Sequence, residues 1–250
     1  GGQLTKGGFP LNGKKATQTA GANVAEGAVS LEKDWRVRLS FTETLAHELA
    51  KGVGVGLLDP LLNLGGGSVA NELGTKGTGT GNGIVFPYTP QVNITYAAEY
   101  QSQKFTHSNY AAQFYTGSEI QDIQIQGEFS AQNEVEARYL LAVITFTKLV
   151  TKMFFANGAF VGNPPPILKL NGFGPYQFNN VPVIVKQANY TLPAEVDYIP
   201  TFNKGQLLAR VPTQMSVSYT LAPVYSRNRV AQFNFTEFAN GDLIKNRGFM

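Results

Sequence analysis

Residues 122–152 decide the predicted fold, and they read DIQIQGEFSAQNEVEARYLLAVITFTKLVTK. In the first third, Ile123, Ile125 and Phe129 are separated by polar residues, which is the period-two pattern of a half-buried strand. Over 135–150 the apolar residues recur every three or four positions instead, which predicts a helix with one apolar stripe. Because that stripe must be buried on a neighbouring sheet, the segment predicts a mainly β fold with one packed helix, an α+β class.

The ends of the predicted helix carry the residues that helix ends favour. Asn133 can be the N-cap, since its side-chain oxygen can accept a hydrogen bond from a backbone N–H of the first turn. Glu134 and Glu136 follow in the first turn, and Lys148 and Lys152 lie at the end, each with the sign of charge that the helix dipole favours. The stripe predicted to lie on the sheet consists of Val135, Tyr139, Val143, Phe146 and Val150.

Shorter patterns predict the other strands. Every second residue in 34–41 is apolar, which predicts a half-buried strand. The same alternation in 92–100 places Tyr96 and Tyr100 on an apolar face. The tail at 233–250 is predicted as a short strand with an irregular, aromatic-rich extension. The remaining strands are predicted at 167–170, 181–185 and 215–221.

Glycine divides the chain into two parts. Residues 1–83 contain 18 of its 27 glycines, and such segments cannot bury enough apolar surface to order themselves alone. We predict a flexible N-terminal arm at 1–33 and a β domain at 34–250, interrupted by a glycine-rich loop at 42–83. Leucines in this loop would be costly to leave in water, so they either cover this chain's own core or dock on another subunit. These candidate subunit-interface residues are Leu57, Leu58, Leu61, Leu62 and Leu64.

The composition favours a subunit over a free-standing domain. The 250-residue chain is 43% hydrophobic but only 15% charged, against roughly 25% in typical soluble domains. Such a surface is ordinary where other chains cover it. The net charge is only +3 and the basic residues are scattered, which argues against a dedicated nucleic-acid site. The lack of cysteine excludes disulfides and Cys-ligated metals and is typical of a reducing compartment.

No set of residues predicts catalysis. His47 and Glu48 approach a zinc-protease helix motif, but Lys51 stands where the second histidine would be. His107 and Ser108 are neighbours on an extended chain, so their side chains point apart, and a structural histidine is the better interpretation. We therefore expect no catalytic residue, no metal site and no cofactor.

Four aromatic residues suggest a second kind of site. They could stack on single-stranded bases. Since no basic residues are interleaved with them, a place in the sheet core or at a subunit interface is the better interpretation. They are Tyr96, Tyr100, Phe114 and Tyr115.

Four segments together resemble the baseplate tube proteins of contractile-tailed bacteriophages. These proteins are the tail-tube initiator or tube-junction subunits that join the baseplate hub to the tube. The segments are IVFPYTP at 84–90, THSNY at 106–110, the strand and helix at 122–155, and 227–245 near the C-terminus.

The resemblance implies a structural virion protein, not an enzyme. Residues 34–250 would form a tail-tube-like domain, a β-sandwich or barrel flanked by a helix. Six copies would form a homohexameric ring whose inner strands join into one barrel and whose long loops and termini embrace the neighbours. The glycine-rich segment departs from the compact loop of a plain tube subunit, so a junction role fits better than the repeating tube protein.

The resemblance also implies partners and a location. The ring would initiate tube polymerisation in the host bacterial cytoplasm and become part of the phage tail baseplate. Its partners would be adjacent tail-tube and baseplate hub proteins and the tape-measure protein. Double-stranded DNA would pass through the ring during ejection without specific binding. No membrane insertion by this chain is expected, since no run approaches about 18 apolar residues.

A conduit of this kind has a chemical requirement. Lys and Arg on its wall would bind phosphates and hold the DNA, so the lumen-facing positions should be neutral or acidic. On this ground the candidate lumen-facing residues are Gln124 and Gln126, or Ser216, Ser218 and Thr220.

Two other classes of function stay open. A non-tube β-sandwich module that binds carbohydrate or a receptor predicts a monomer or trimer with an exposed aromatic platform. A hydrolase would require an acid and a base that converge in the fold.

Overall fold

The computed structural model describes residues 35–52, 57–62, 83–154, 162–203 and 205–250. The strands in this part of the chain are β1 Arg38–Phe41, β2 Gly83–Val85, β3 Gln91–Asn93, β4 Tyr96–Gln103, β5 Ala112–Ile120, β6 Ile123–Ser130, β7 Leu168–Gly172, β8 Phe178–Thr191, β9 Tyr198–Asn203, β10 Gln206–Pro212 and β11 Gln214–Pro223. The helices are α1 Glu43–Gly52, α2 Glu134–Leu149, α3 Arg227–Val230, α4 Phe235–Ala239 and α5 Asp242–Arg247. The predicted class is confirmed: the fold is mainly β with a packed helix.

Seven strands form one antiparallel sheet in the order β2-β1-β7-β8-β11-β6-β3. The long strand β8 belongs to two halves of this sheet. Its first part, to Val183, pairs with β7, and its later part, from Val183 to Thr191, pairs with β11. We call the strands β8, β11, β6 and β3 the distal half-sheet. Two hairpins, β4–β5 and β9–β10, lie outside the seven-stranded sheet.

Helix α2 covers one face of the sheet, as its apolar stripe predicts. The Phe146 ring lies 4.9 Å from the Phe41 ring, and the Thr147 hydroxyl is 2.7 Å from that of Tyr219 on β11. The N-cap prediction is confirmed, because the Asn133 side chain accepts from the backbone N–H of Glu136 at 2.8 Å. Four of the five stripe residues are buried and Val135 is half-buried.

Tyr139 of α2 closes the outer edge of β2. Its hydroxyl accepts from the backbone N–H of Val85 at 2.8 Å and donates to the carbonyl of the same residue at 3.0 Å. These two groups face away from β1 and would otherwise be free to pair with a further strand. The side chain therefore blocks strand addition at a sheet edge.

A β-bulge changes which residues of β8 face the core. Thr220 is paired with Gln187 and Leu221 with Val185, so Lys186 is the extra residue. Before it, odd-numbered residues such as Val183 are buried; beyond it, Ala188 and Tyr190 pack on the core. The predicted strand at 181–185 ends at this point because the alternation of buried and exposed residues changes phase at the bulge.

Two strand predictions need correction. The first strand is Arg38–Phe41, shorter than 34–41, and it is buried on both faces instead of half-buried. It lies inside the sheet between β2 and β7, and Trp35, which precedes it, is 51% exposed. The segment 92–100 is two strands, β3 and β4, because the chain leaves the sheet after Asn93.

The glycine-rich and C-terminal segments also differ from the predictions. Part of the predicted loop at 42–83 is the helix α1. The tail is helical, not a strand with an irregular extension, because Ser226 and Asn234 cap α3 and α4 with their side chains. The predicted arm at 1–33 lies outside the described residues.

The C-terminal segment returns to the start of β8. The rings of Tyr225 and Phe249 stack at 5.0 Å, and the Tyr225 hydroxyl donates to the carbonyl of Gly248 at 3.1 Å. Gly248 has φ +57, and a Cβ there would lie 2.5 Å from the carbonyl oxygen of Asn179. Only glycine fits this close approach.

Candidate functional site

The face of the distal half-sheet opposite α2 is polar and almost free of charge. Strand alternation sends one set of side chains into the core under α2 and the other set to this face. Strand pairing arranges the second set in rows that cross the strands. One row is Asn93, Gln124, Thr220 and Gln187; the next is Gln91, Gln126, Ser218 and Asn189; the third is Glu128, Ser216 and Thr191. We call these residues the polar sheet face, and Glu128 is its one ionisable member.

The two sets of candidate lumen residues meet on this face. The sequence left open whether Gln124 and Gln126, or Ser216, Ser218 and Thr220 of β11, would face a lumen. In the sheet, Gln124 is directly opposite Thr220, and Gln126 is opposite Ser218. Ser216 faces Glu128 in the third row. All five candidates therefore belong to one surface.

An ion pair lies at the end of the polar sheet face. The Lys186 ammonium contacts the Asp122 carboxylate at 2.5 Å, with both side chains partly exposed. Lys186 is thus paired with a carboxylate, so it adds little net charge to the surface.

Both edges of the distal half-sheet are open in the part of the chain that the structure describes. At one edge, no described strand pairs with residues 186–191 on the side away from β11. At the other edge, the outer strand is β3, which is only three residues long. Unpaired backbone groups at both edges can accept strands of another chain. The opposite end of the seven-stranded sheet differs, since Tyr139 occupies the outward groups of Val85.

Sequence reasoning missed part of the polar sheet face. The sequence did not predict that Gln187, Asn189 and Thr191 lie on this face, because the alternation at 181–185 predicts a strand that ends at Val185. Their signal was present as the alternation of polar and apolar residues in QANYT at 187–191. This alternation restarts out of phase after the bulge at Lys186, so it does not continue the pattern before it.

Three of the loop leucines lie in this chain's own core. Leu58, Leu61 and Leu62 are buried, and the Leu62 N–H bonds to the Leu58 carbonyl in a tight turn. Core burial, the first of the two alternatives, therefore describes these three. Leu57 is 44% exposed and stays a candidate for an interface. Leu64 lies outside the described residues.

The predicted aromatic site lies on the β4–β5 hairpin and is exposed. Tyr100 and Tyr115 face each other across the strands, with ring centroids 5.7 Å apart, and both are 59% exposed. Tyr96 and Phe114 are exposed as well. The sheet-core alternative is therefore wrong for these residues, because among the described strands β4 pairs with β5 alone and leaves their side chains uncovered. The interface alternative stays a prediction.

The described residues bring no Ser–His pair together. His107 lies in the connection of the β4–β5 hairpin, with φ +62, and is exposed. The Ser108 hydroxyl donates to the carbonyl of Tyr110 at 2.7 Å, so its proton is already used in a hydrogen bond to the backbone. His47 and Glu48 lie in α1, and their side chains are outside the described part.

The described residues contain neither a metal-binding cluster nor a helix that could span a membrane. No cluster of three or more His, Cys, Asp or Glu side chains in this part of the chain could hold a metal ion. No helix in this part has the length and apolar character that a membrane span requires.

Comparison with protein-family models and with curated proteins gives no match to this chain.

Proposed function

We propose that this chain is a structural subunit of a contractile phage tail, in a baseplate-proximal ring that joins the baseplate hub to the tail tube. Copies of the chain join edge to edge through the distal half-sheet and close into a ring. The polar sheet face lines the lumen, through which DNA passes. The ring starts tube polymerisation by presenting a template to the next ring.

The observation that carries this proposal is a half-sheet with two open edges and a neutral polar face. The edge of β8 at 186–191 on one copy can pair with the β3 edge of the next copy. Such a contact is head-to-tail, and it produces a closed ring when the rotation between copies divides a full turn. Closure leaves no free strand edge in the half-sheet, which removes the hazard of open-ended aggregation.

The dimensions agree with a DNA conduit. Six copies of a four-stranded half-sheet give a barrel of about 24 strands, which with a spacing of about 4.8 Å and a tilt of about 40° has a backbone diameter of about 48 Å. Inward side chains reduce this opening by about 10 Å, which leaves a passage wider than a DNA duplex of about 20 Å.

The chemistry of the polar sheet face agrees as well. Amides and hydroxyls offer no fixed positive charge to phosphates, so DNA does not lose mobility through counterion release. A carboxylate such as that of Glu128 repels phosphate and keeps the duplex away from the wall.

The test of ring formation is the mass of the purified full chain by size-exclusion chromatography with light scattering, followed by electron microscopy of the same peak. The expected result is a ring of about six copies with a central hole that admits a duplex. A monomer at every concentration tested, with no ring in the presence of baseplate fractions, would refute the proposal.

The lumen assignment has its own test in assembled virions. Gln124→Lys adds a positive charge to the first row of the polar sheet face, and we expect DNA ejection to slow while assembly is retained. The matched control is Gln206→Lys, on the exposed strand β10 outside this face. Equal ejection rates for the two variants would contradict the lumen assignment, and failed assembly of the Gln124 variant would place this residue in an interface.

One observation favours a second candidate function. The exposed rings of Tyr96, Tyr100 and Tyr115 form an aromatic platform, which is the feature expected of a carbohydrate- or receptor-binding module. This alternative predicts a monomer or trimer that binds glycans through these rings. The light-scattering measurement separates the two functions.

A further inference from the structure

We propose that Tyr100 and Tyr115 are a site of oxidative cross-linking, at which the two rings join as dityrosine and strap together the strands of the β4–β5 hairpin. The reagent is a one-electron oxidant, of the class of a haem peroxidase with hydrogen peroxide. The cross-link forms within one copy of the chain, so this inference goes beyond the proposed function and does not rest on it.

The two rings are in contact and open to a reagent. Their centroids are 5.7 Å apart, with 66° between the ring planes, and both side chains are 59% exposed. Among the described residues, no other two tyrosines are both exposed and in ring contact. Because the chain holds the reacting groups side by side, their coupling is intramolecular and is favoured over coupling between separate molecules.

A β-bulge in β5 produces this pair. The pairing register shifts by one residue next to Tyr100, and Thr116 is the extra residue of β5. In an unbroken strand, Tyr115 and Ser118 would point to opposite sides. Across the bulge they share one side, and the Tyr115 hydroxyl donates to the Ser118 hydroxyl at 2.7 Å. This hydrogen bond holds the Tyr115 side chain on the side that Tyr100 occupies.

The atoms and electrons of the coupling balance with hydrogen peroxide as the final oxidant. The oxidant removes one electron and one proton from each phenol, which leaves two tyrosyl radicals. A carbon–carbon bond then forms between ring carbons adjacent to the hydroxyl-bearing carbons. The protons of those ring carbons transfer to the oxygens, so both phenols are restored. The protein loses two hydrogen atoms, and hydrogen peroxide becomes two molecules of water.

The β4–β5 hairpin is a ribbon that a covalent strap would stabilise. A two-stranded ribbon is marginally stable in water unless a third strand or a helix packs on it. Among the described strands, β4 and β5 pair with each other alone, and the chain has no cysteine that could form a disulfide. A bond between the two strands restricts the open states that the ribbon can reach.

The first test treats the dilute full chain with a haem peroxidase and hydrogen peroxide. The expected product is a monomer with dityrosine fluorescence, in which peptide mass spectrometry finds Tyr100 bonded to Tyr115. Tyr100→Phe should lose this fluorescence, since phenylalanine has no phenolic hydrogen. Tyr110→Phe is the matched control and should keep it, because Tyr110 is 86% exposed on the same hairpin without a tyrosine ring beside it. Equal yields from these two variants would overturn the inference.

A second variant moves the phenol without changing the number of tyrosines. Phe114 is 52% exposed and is paired with Gln101, on the side of the hairpin opposite Tyr100. The double variant Phe114→Tyr with Tyr115→Phe should therefore give a yield of intrachain dityrosine at least about tenfold lower. Far-UV circular dichroism checks that the variant keeps its fold. An unchanged yield would contradict the inference, because the ring contact would then have no influence on the coupling.

Amide hydrogen exchange tests the strap. Backbone amides of 96–120 are expected to exchange about tenfold more slowly after cross-linking, since opening of the ribbon is restricted. Unchanged exchange in a cross-linked monomer would show that the bond does not strap the hairpin, and this part of the inference would fall.

These readouts are independent of ring formation. A chain that forms rings but gives no intrachain dityrosine when dilute overturns the cross-linking site and leaves the proposed function in place. A chain that forms the cross-link but no ring supports the site, and the proposed function then fails on its own test.

Discussion

Replacing Tyr139 by Phe should remove a large part of the stability of this fold. The substitution deletes one hydroxyl that satisfies both the N–H and the carbonyl of Val85. Both residues are buried, with 7% of each exposed, so water cannot replace the lost partner easily. Each backbone group left unsatisfied costs roughly 1–3 kcal/mol, which gives a loss of about 3 kcal/mol in the free energy of unfolding. Globular proteins have about 5–15 kcal/mol in total.

The assay is urea unfolding of the purified chain, followed by circular dichroism. Tyr219→Phe is the matched control, since it also removes one buried hydroxyl from the same core. The Tyr219 hydroxyl serves only Thr147, whose own proton goes to the carbonyl of Val143, so this control should lose about 1 kcal/mol. The reasoning is refuted if Tyr139→Phe loses no more stability than Tyr219→Phe.

The same pair of tyrosines predicts a loss of stability at high pH. Burial raises the pKa of Tyr139 to about 12 and also raises the pKa of Tyr219. In the unfolded chain both tyrosines ionise near the ordinary pKa of about 10, so above pH 10 the folded state holds more protons than the unfolded state. Each tyrosine therefore lowers the free energy of unfolding by about 1.4 kcal/mol per pH unit between pH 10 and pH 12. Urea unfolding at pH 9 and pH 11 checks this, and a flat profile would contradict it. Gly248→Ala should release the C-terminal segment, because the new Cβ would meet Asn179 and the left-handed backbone costs about 1–2 kcal/mol. Faster tryptic cleavage near the C-terminus is the expected result, whereas Gly117→Ala, which meets no atom within 4 Å, should behave like the parent chain.

The elements that could be predicted from the sequence are those in which apolar residues recur with one uninterrupted period. The strand from Ile123 and the helix α2 have such periods, and Asn133 marks the boundary between them with a side chain that N-cap positions favour. The strand at 215–221 was also predicted, since apolar and polar residues alternate regularly from Met215 to Leu221.

The rest depends on contacts that no local pattern contains. The tyrosines of β4 alternate like a core strand, yet they are exposed, because the chain leaves the sheet after Asn93. The β9–β10 hairpin was not predicted, since its Pro200 and its register shift interrupt the alternation. For the candidate site, the sequence supplied Gln124 and Thr220 as separate alternatives, and only strand pairing shows that they are neighbours.

The bulge at Lys186 also limits how this strand can change during evolution. Deleting Lys186 would remove the bulge and restore an unbroken alternation, so Gln187 and Asn189 would stay on the polar sheet face and Tyr190 would stay on the core side. Inserting one residue beyond the bulge would instead exchange the two sides of everything after the insertion and bring polar residues into the core. Single-residue insertions at 187–191 should therefore be absent among variants that fold, whereas loss of Lys186 should be tolerated.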